Sequence, residues 1–203
     1  GSQSTRVVYQ NKVVWHQPTC ATLHVPSQTV LEIGHKALQA MGKTPDTIRV
    51  VFPVRQGKVS DIFISQQYLR AVIKHVLTLL ELPVVFQLSG EVAIASSLSP
   101  VAHQTWTRVL HESGFHRVKL LSKSHALLEF FRAQKLGYNW VLDVGAQTTE
   151  LGIFLGNEVL QSHSLPFGGH DLTTELQDLL RSEYQASLSY LSAESLKVSQ
   201  RAL

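Results

Sequence analysis

The sequence contains a single cysteine, Cys20, and this scarcity excludes both an internal disulfide framework and a zinc cluster built from thiolates. One thiol is what a reducing compartment permits. The ten histidines do not replace the missing cysteines, because His103, His111, His116 and His125 lack the paired spacing on one helix face that zinc enzymes use. No metal centre built from cysteine or histidine is therefore predicted.

Long apolar runs and clustered charge are also absent. No stretch of 18 or more uninterrupted apolar residues occurs, and the amino end has no charged segment followed by an apolar one. Lysine and arginine number 18 against 15 acidic residues, and the cations are scattered along the chain. We therefore expect a cytoplasmic protein that neither spans a membrane nor binds nucleic acid.

The chain does have the length and composition of a globular protein, with 203 residues of which 44% are hydrophobic. Strand patterns alternate with helix patterns, and Ser65 and Ser99 stand where helix caps are expected. Strands are predicted at 6–9, 13–16, 19–25, 48–52, 58–64, 92–95 and 118–121, and helices at 35–41, 65–80, 100–113 and 124–135. This alternation predicts an α/β fold.

The stretch 140–154 reads as a strand, a short polar turn and a second strand. A glycine such as Gly145 lets backbone N–H groups approach an anion, and the hydroxyls of Thr148 and Thr149 can donate to phosphate oxygens. Asp143 at the strand end has the ligand chemistry of a hydrated magnesium ion. An ordinary hairpin turn explains the same pattern equally well. Gly156 and Asn157 then predict a two-residue hairpin, followed by a helix that ends near Tyr184 and a final helix capped by Ser192.

Several segments together resemble the MreB family of bacterial actin homologues. They are residues 142–150 with the following hairpin, the Gly168-Gly169-His170-Asp171 run that opens a helix, and the segments 192–197, 41–48 and 53–61. The resemblance covers nearly the whole chain. It implies an actin-like (ribonuclease H-like) α/β ATPase fold, with mixed sheets flanked by helices and incomplete at both ends. Residues 1–138 would form the first domain, with a small insertion at about 27–64, and residues 139–203 the start of the second.

The resemblance also implies roles for individual residues in binding ATP and magnesium. Asp143 would hold magnesium through water, and Thr148 would position the attacking water. The nucleotide-binding set would comprise Gly145, Gln147, Thr148 and Thr149 in the second phosphate loop, Glu194 and Lys197 near the nucleoside, and Ser2, Ser4 and Thr5 in the tail of the first phosphate loop. A cloning scar is an alternative explanation for Gly1 and Ser2.

Three positions depart from the family pattern. Ala146 and Gln147 stand where the family has glycines, so side chains enter a site that glycine keeps open to phosphates. Lys123 stands where the family has a glutamate that orients the hydrolytic water, and a charged lysine cannot accept a proton. We therefore expect weak or absent ATP hydrolysis. An active ATPase and a non-polymerising regulatory binding module remain the two alternatives to a scaffold protein.

The resemblance further implies self-association into filaments and contact with proteins of the cell-wall or division machinery. Residues 82–86, from Leu82 to Phe86, fall where the family carries an apolar loop that contacts the inner membrane. Such a short apolar segment can give weak interfacial attachment. An edge strand buried in the core is the alternative reading of the same segment.

Overall fold

A computed structural model describes residues 1–83, 87–131, 138–156 and 158–199 of the chain. The strands are β1 (Ser4–Tyr9), β2 (Lys12–Pro18), β3 (Ala21–His24), β4 (Thr29–Ile33), β5 (Ile48–Val51), β6 (Val54–Arg55), β7 (Lys58–Val59), β8 (Leu88–Ile94), β9 (Phe115–Ser122), β10 (Tyr138–Val144), β11 (Thr149–Leu155) and β12 (Glu158–Leu165). The helices are α1 (His35–Gln39), α2 (Ile62–Leu79), α3 (Pro100–Glu112), α4 (Lys123–Phe131), α5 (Gly169–Tyr184) and α6 (Tyr190–Ser199).

The first part of the chain packs β-strands against the long helix α2. Strands β1 and β2 form an antiparallel hairpin, and β3 lies between β4 and β5 in an antiparallel sheet. Tyr68, Val72 and Val76 recur every four residues on α2, so they share one helix face. That face packs with Trp15 and Ala21 into one buried core cluster.

Helix α2 begins earlier than the sequence pattern predicts, and the predicted strand 58–64 is wrong beyond Val59. The Asp61 carboxylate accepts a hydrogen bond from the Ile64 amide at 2.8 Å and caps the helix in place of Ser65. The preceding β6–β7 hairpin turns at Gln56 and Gly57, which have φ values of +49° and +74°. The apolar residues after Asp61 belong to the first helical turn, although their run resembles a strand.

Strands β8 and β9 are parallel and are connected by helix α3. The predicted start of this helix is confirmed, because the Ser99 hydroxyl accepts from the Ala102 amide at 3.2 Å and Pro100 follows in the first turn. Its apolar face joins a second core cluster, which contains Val54, Ile94, Trp106 and Leu110. This unit is the β-α-β arrangement that the alternating pattern predicts.

Strands β10, β11 and β12 form an antiparallel meander, and the predicted hairpin between Leu155 and Glu158 is confirmed. Side chains alternate across β10, so Trp140, Leu142 and Val144 share the face opposite to Asp143. These three side chains are 69%, 64% and 56% exposed. That face of β10 is therefore mostly open to solvent.

Within the described ranges, no helix is both long enough and apolar enough to cross a membrane. The predicted membrane-contacting segment begins with Leu82 and Pro83, and its remaining residues 84–86 lie outside the described part of the chain. Contact with a membrane through this segment therefore stays a prediction.

Candidate functional site

The turn between β10 and β11, hereafter the 143–149 turn, carries five of the predicted site residues. The ladder pairs Asp143 with Glu150 and Val144 with Thr149, so the turn closes at the strand ends. The Gly145 amide donates to the Thr148 carbonyl at 2.9 Å. A Cβ atom on Gly145 would lie 2.8 Å from that carbonyl oxygen, which explains the glycine.

The two threonines of the turn are buried, with Thr148 7% and Thr149 8% exposed. The Thr149 hydroxyl donates to the Phe167 carbonyl at 2.8 Å. This bond ties the start of β11 to the segment that leads into helix α5. The Thr149 hydroxyl, which the sequence predicts to bind phosphate, thus donates to an acceptor within the protein.

The first turn of helix α5 points its amides at the 143–149 turn. The Gly169 amide donates to the Gly145 carbonyl at 2.9 Å, and the His170 amide donates to the Ala146 carbonyl at 2.7 Å. The Asp171 carboxylate accepts from the Gly168 amide at 2.7 Å, which suits an acidic residue at the positive end of a helix. Carbonyl groups of the turn therefore occupy helix amides of the kind that bind phosphate elsewhere.

Gln147 links the 143–149 turn to the hairpin between β6 and β7. Its side-chain oxygen accepts from the Gln56 amide at 2.8 Å, across 91 residues of sequence. The neighbouring Gly57 amide donates to the Ser2 hydroxyl oxygen at 3.0 Å. Two adjacent amides thus contact both the predicted tail of the first phosphate loop and the predicted second phosphate loop.

Ser4 and Thr5 lie in strand β1, where Ser4 pairs with Pro18 of β2. The Thr5 hydroxyl is 2.8 Å from the Thr19 hydroxyl, and it accepts from the Tyr68 hydroxyl at 2.9 Å. Burial raises the pKa of Tyr68, so its hydroxyl stays protonated as a donor. Thr5 therefore takes part in a hydroxyl chain that joins β1 to helix α2.

Lys123, the first residue of helix α4, forms an ion pair with Asp143. Its ammonium nitrogen lies 3.1 Å from Asp143 Oδ2, and the two side chains are 28% and 38% exposed. The same nitrogen lies 3.6 Å from the position that a Cβ atom on Gly145 would take. The residue that the resemblance aligns with the family's glutamate therefore contacts the predicted magnesium ligand.

Glu194 and Lys197 lie on helix α6 and contact the first turn of α5. Lys197 Nζ is 2.7 Å from Glu194 Oε2, and it donates to the Gly169 carbonyl at 2.6 Å and to the Thr173 hydroxyl at 2.7 Å. Thr173 also donates to Glu194. Burial opposes ionisation of Glu194, but the hydrogen bonds from Lys197 and Thr173 and the Lys197 charge lower its pKa. Through Gly169 this network is linked to the 143–149 turn.

The lowered pKa predicts a pH-dependent contribution of Glu194 to stability. A carboxylate with a lowered pKa stabilises the fold above its ordinary value of 4.5, and this stabilisation is lost as the pH falls through the folded value. We expect Glu194→Gln to lower the melting temperature by about 2–4 °C at pH 7. Melting curves should show this difference shrinking below about pH 4.5, and a difference that stays constant to pH 3 would contradict the assignment. Glu183→Gln, at an exposed position on α5, is the matched control.

Glu150 is a buried carboxylate that the strand pattern does not single out. It is 1% exposed and accepts from the Ser96 amide at 3.2 and 3.3 Å and from the Ser96 hydroxyl. The Ser96 hydroxyl lies 2.9 Å from the Ser124 hydroxyl on α4. Glu150 on β11 is thus bonded to Ser96, two residues after the end of β8, and through Ser96 it is connected to Ser124 on helix α4. A charged residue inside an otherwise apolar strand is the one signal that marks it.

The sequence is similar to those of MreB and Mbl proteins. The family model described as MreB/Mbl protein matches residues 1–201. The cell shape-determining protein Mbl of Bacillus subtilis (strain 168) is 22% identical over 192 residues, which are 92% of this chain and 56% of that protein. The cell shape-determining protein MreB of Escherichia coli (strain K12) is 26% identical over 176 residues, which are 84% of this chain and 49% of that protein. The chain spans about half the length of these curated relatives.

Solved structures share the fold. MreB5 of Spiroplasma citri bound to ADP superimposes with a TM-score of 0.83 at 22% identity, covering 97% of this chain and 59% of that one. The MamK double helical filament gives a TM-score of 0.76 at 14% identity, covering 97% and 62%. These similarities confirm the predicted mixed α/β actin-like fold. Since the family model matches the chain from residue 1 to residue 201, this protein belongs to the MreB/Mbl family of actin homologues.

Proposed function

We propose that this chain forms part of a cytoskeletal or scaffold protein of a bacterial cell-shape system, with a degenerate nucleotide site and weak or absent ATP hydrolysis. The observation that carries the proposal is the ion pair between Lys123 Nζ and Asp143 Oδ2 at 3.1 Å. The pair places the Lys123 ammonium where a water-orienting carboxylate would be needed. The ammonium also contacts Asp143, the predicted metal ligand.

Two comparisons support the scaffold part of the proposal. The curated relatives are cell shape-determining proteins, and MamK, which shares the fold, is known as a double helical filament. We therefore propose that this chain self-associates into filaments and works with cell-wall or division proteins, on the cytoplasmic side of the inner membrane. Because the chain spans about half of its relatives' length, these activities are proposed for the protein of which it is a part.

The internal hydrogen bonds of the site support weak nucleotide chemistry. The amides of Gln56, Gly145, Gly169 and His170 all donate to protein oxygens, and the Thr149 hydroxyl does the same. Phosphate oxygens would have to compete with these acceptors. The solved relative MreB5 of Spiroplasma citri does bind ADP and AMPPNP, so the family site can hold a nucleotide. In this chain we propose that such binding is weakened.

Magnesium, which the fold family implies, does not fit the residues as they are arranged here. One oxygen of the Asp143 carboxylate lies 3.1 Å from an ammonium, and a divalent cation would have to displace that ammonium. Two cations this close repel each other, and a carboxylate already paired with lysine attracts a metal weakly.

Sedimentation with parallel measurement of phosphate release tests the proposed function. We expect the whole protein that contains this chain to pellet at high speed and to form filaments visible by negative-stain electron microscopy. We expect its phosphate release to be about 100-fold slower than that of an MreB that retains the glutamate, because general-base assistance contributes ~10²–10⁴-fold. A chain that stays in the supernatant would favour the regulatory binding module, and fast phosphate release would favour the active ATPase.

Lys123→Glu sharpens this test by restoring a carboxylate at the position that lost it. At saturating ATP and in millimolar magnesium, phosphate release should then rise severalfold, since the ammonium is gone and a carboxylate can again accept a hydrogen bond from water. Lys119→Glu is the matched control, because Lys119 forms a similar pair with Glu91 at 3.2 Å on the exposed side of β8 and β9. An unchanged rate for Lys123→Glu would count against Lys123 as the lost catalytic position.

A further inference from the structure

The ammonium of Lys123 lies beside the 143–149 turn, which the sequence predicts to bind phosphate. It contacts Asp143 Oδ2 at 3.1 Å and lies 3.6 Å from the Cβ position of Gly145. The Lys123 side chain is 28% exposed, so it is partly accessible to solvent. An ammonium has three donors, and Asp143 Oδ2 can accept only part of them.

The surrounding backbone makes this position more favourable for an anion than for a second cation. Lys123 begins helix α4, whose first turn carries no acidic residue. The N-terminal end of a helix has a partial positive charge, which disfavours a lysine there and favours a negative ligand. Asp143 offsets this cost for one cation. A further cation would meet both the ammonium and the helix end without compensation.

We propose that Lys123 is the resident cation of this site and that it binds a phosphate group of a nucleoside triphosphate without a divalent metal. The proposal rests on the proposed nucleotide site in its degenerate form. The ammonium replaces the charge that a metal would supply, while Asp143 holds the ammonium in place. Asp143 is thus a positioning residue for Lys123. Removing its charge should leave binding of the triphosphate intact, whereas removing a metal ligand would abolish metal-dependent binding.

The two possible roles of Asp143 predict opposite effects of its substitution on binding of the triphosphate. If Asp143 held a metal, Asp143→Asn would abolish metal-dependent binding of the triphosphate. If Asp143 holds Lys123, the same substitution removes a negative charge next to the phosphate and keeps an oxygen that can accept from the ammonium. Binding of the triphosphate is then retained or becomes tighter.

Isothermal titration of the purified chain with ATP, once in EDTA and once in millimolar magnesium, tests the proposal. The dissociation constant of the wild type should agree within about threefold between the two buffers. Lys123→Ala should weaken binding in EDTA about tenfold or more, as expected for the loss of a charge-assisted hydrogen bond. Asp143→Asn should bind at least as tightly as the wild type in EDTA. Lys119→Ala, which removes an exposed lysine from a pair of similar length, should behave as the wild type.

Each other outcome overturns the proposal. Wild-type binding that requires magnesium, or loss of binding in Asp143→Asn, would show that Asp143 is a metal ligand. Equal binding by Lys123→Ala and the wild type would remove Lys123 from the site. Absence of ATP binding in both buffers would also overturn it, yet sedimentation of the same samples would still decide whether the chain assembles as a scaffold. Melting curves confirm that each variant is folded.

Discussion

Replacing Glu150 with alanine is expected to lower the free energy of unfolding by about 3 kcal/mol. The Glu150 carboxylate is 1% exposed and accepts hydrogen bonds from both the amide and the hydroxyl of Ser96. Alanine leaves these part-buried donors without their acceptor and opens a small cavity between β11 and α4. Both effects are of the kind that produces large losses of stability. Chemical denaturation monitored by circular dichroism measures the change.

Two further variants identify the cause of the loss at position 150. Glu150→Gln keeps one acceptor oxygen and nearly the same volume, so it should lose about 1 kcal/mol. Glu91→Ala removes a carboxylate of 59% exposure from an ion pair with Lys119, and a surface pair contributes at most about 1 kcal/mol. If Glu150→Ala were as mild as Glu91→Ala, the buried network beneath the turn would not stabilise the fold.

The parts of the fold that local chemistry determines could be predicted from the sequence. The cap of α3 needs only Ser99 and Pro100, and the β11–β12 hairpin needs only a two-residue turn. Strand lengths were harder to predict. Strand β8 begins at Leu88, four residues before the predicted strand, because exposed Ser89 and Glu91 alternate with half-buried positions and mask the apolar pattern.

The inward face of β11 could not be predicted from the sequence. Both sets of alternating residues contain apolar side chains, and Leu151 and Ile153 are as suitable for a core as Phe154. In the structure the face with Glu150, Gly152 and Phe154 is the buried one. The reason is tertiary, because Ser96, which comes from a distant segment and is itself bonded to Ser124, satisfies the Glu150 carboxylate.

In the candidate site, too, short motifs can be predicted from the sequence, whereas contacts between distant segments cannot. The family pattern marks the 143–149 turn, the start of the chain and the Glu194–Lys197 segment, and the structure links these three regions. The family pattern does not reveal that Gln147 binds the Gln56 amide or that Lys123 pairs with Asp143, because those partners lie far apart in sequence. Two of the three departures from the pattern, Gln147 and Lys123, are thus side chains that make internal contacts of their own.

Gly168→Ala is expected to cost about 3 kcal/mol, or roughly 6–12 °C in melting temperature, because the first turn of α5 lies directly against the 143–149 turn. A Cβ atom at Gly168 would lie 2.5 Å from the Gly145 carbonyl oxygen and 2.7 Å from the Ala146 carbonyl carbon. Both neighbours are backbone atoms, so relief requires α5 to move away from the turn, which weakens the bonds from the Gly169 and His170 amides. The extended backbone of Gly168 suits any residue, so the loss would report the close approach alone. Gly169→Ala is the matched control, since its nearest atom, Lys197 Nζ, is 3.4 Å away; equal melting temperatures for the two variants would show that the turn does not hold the helix.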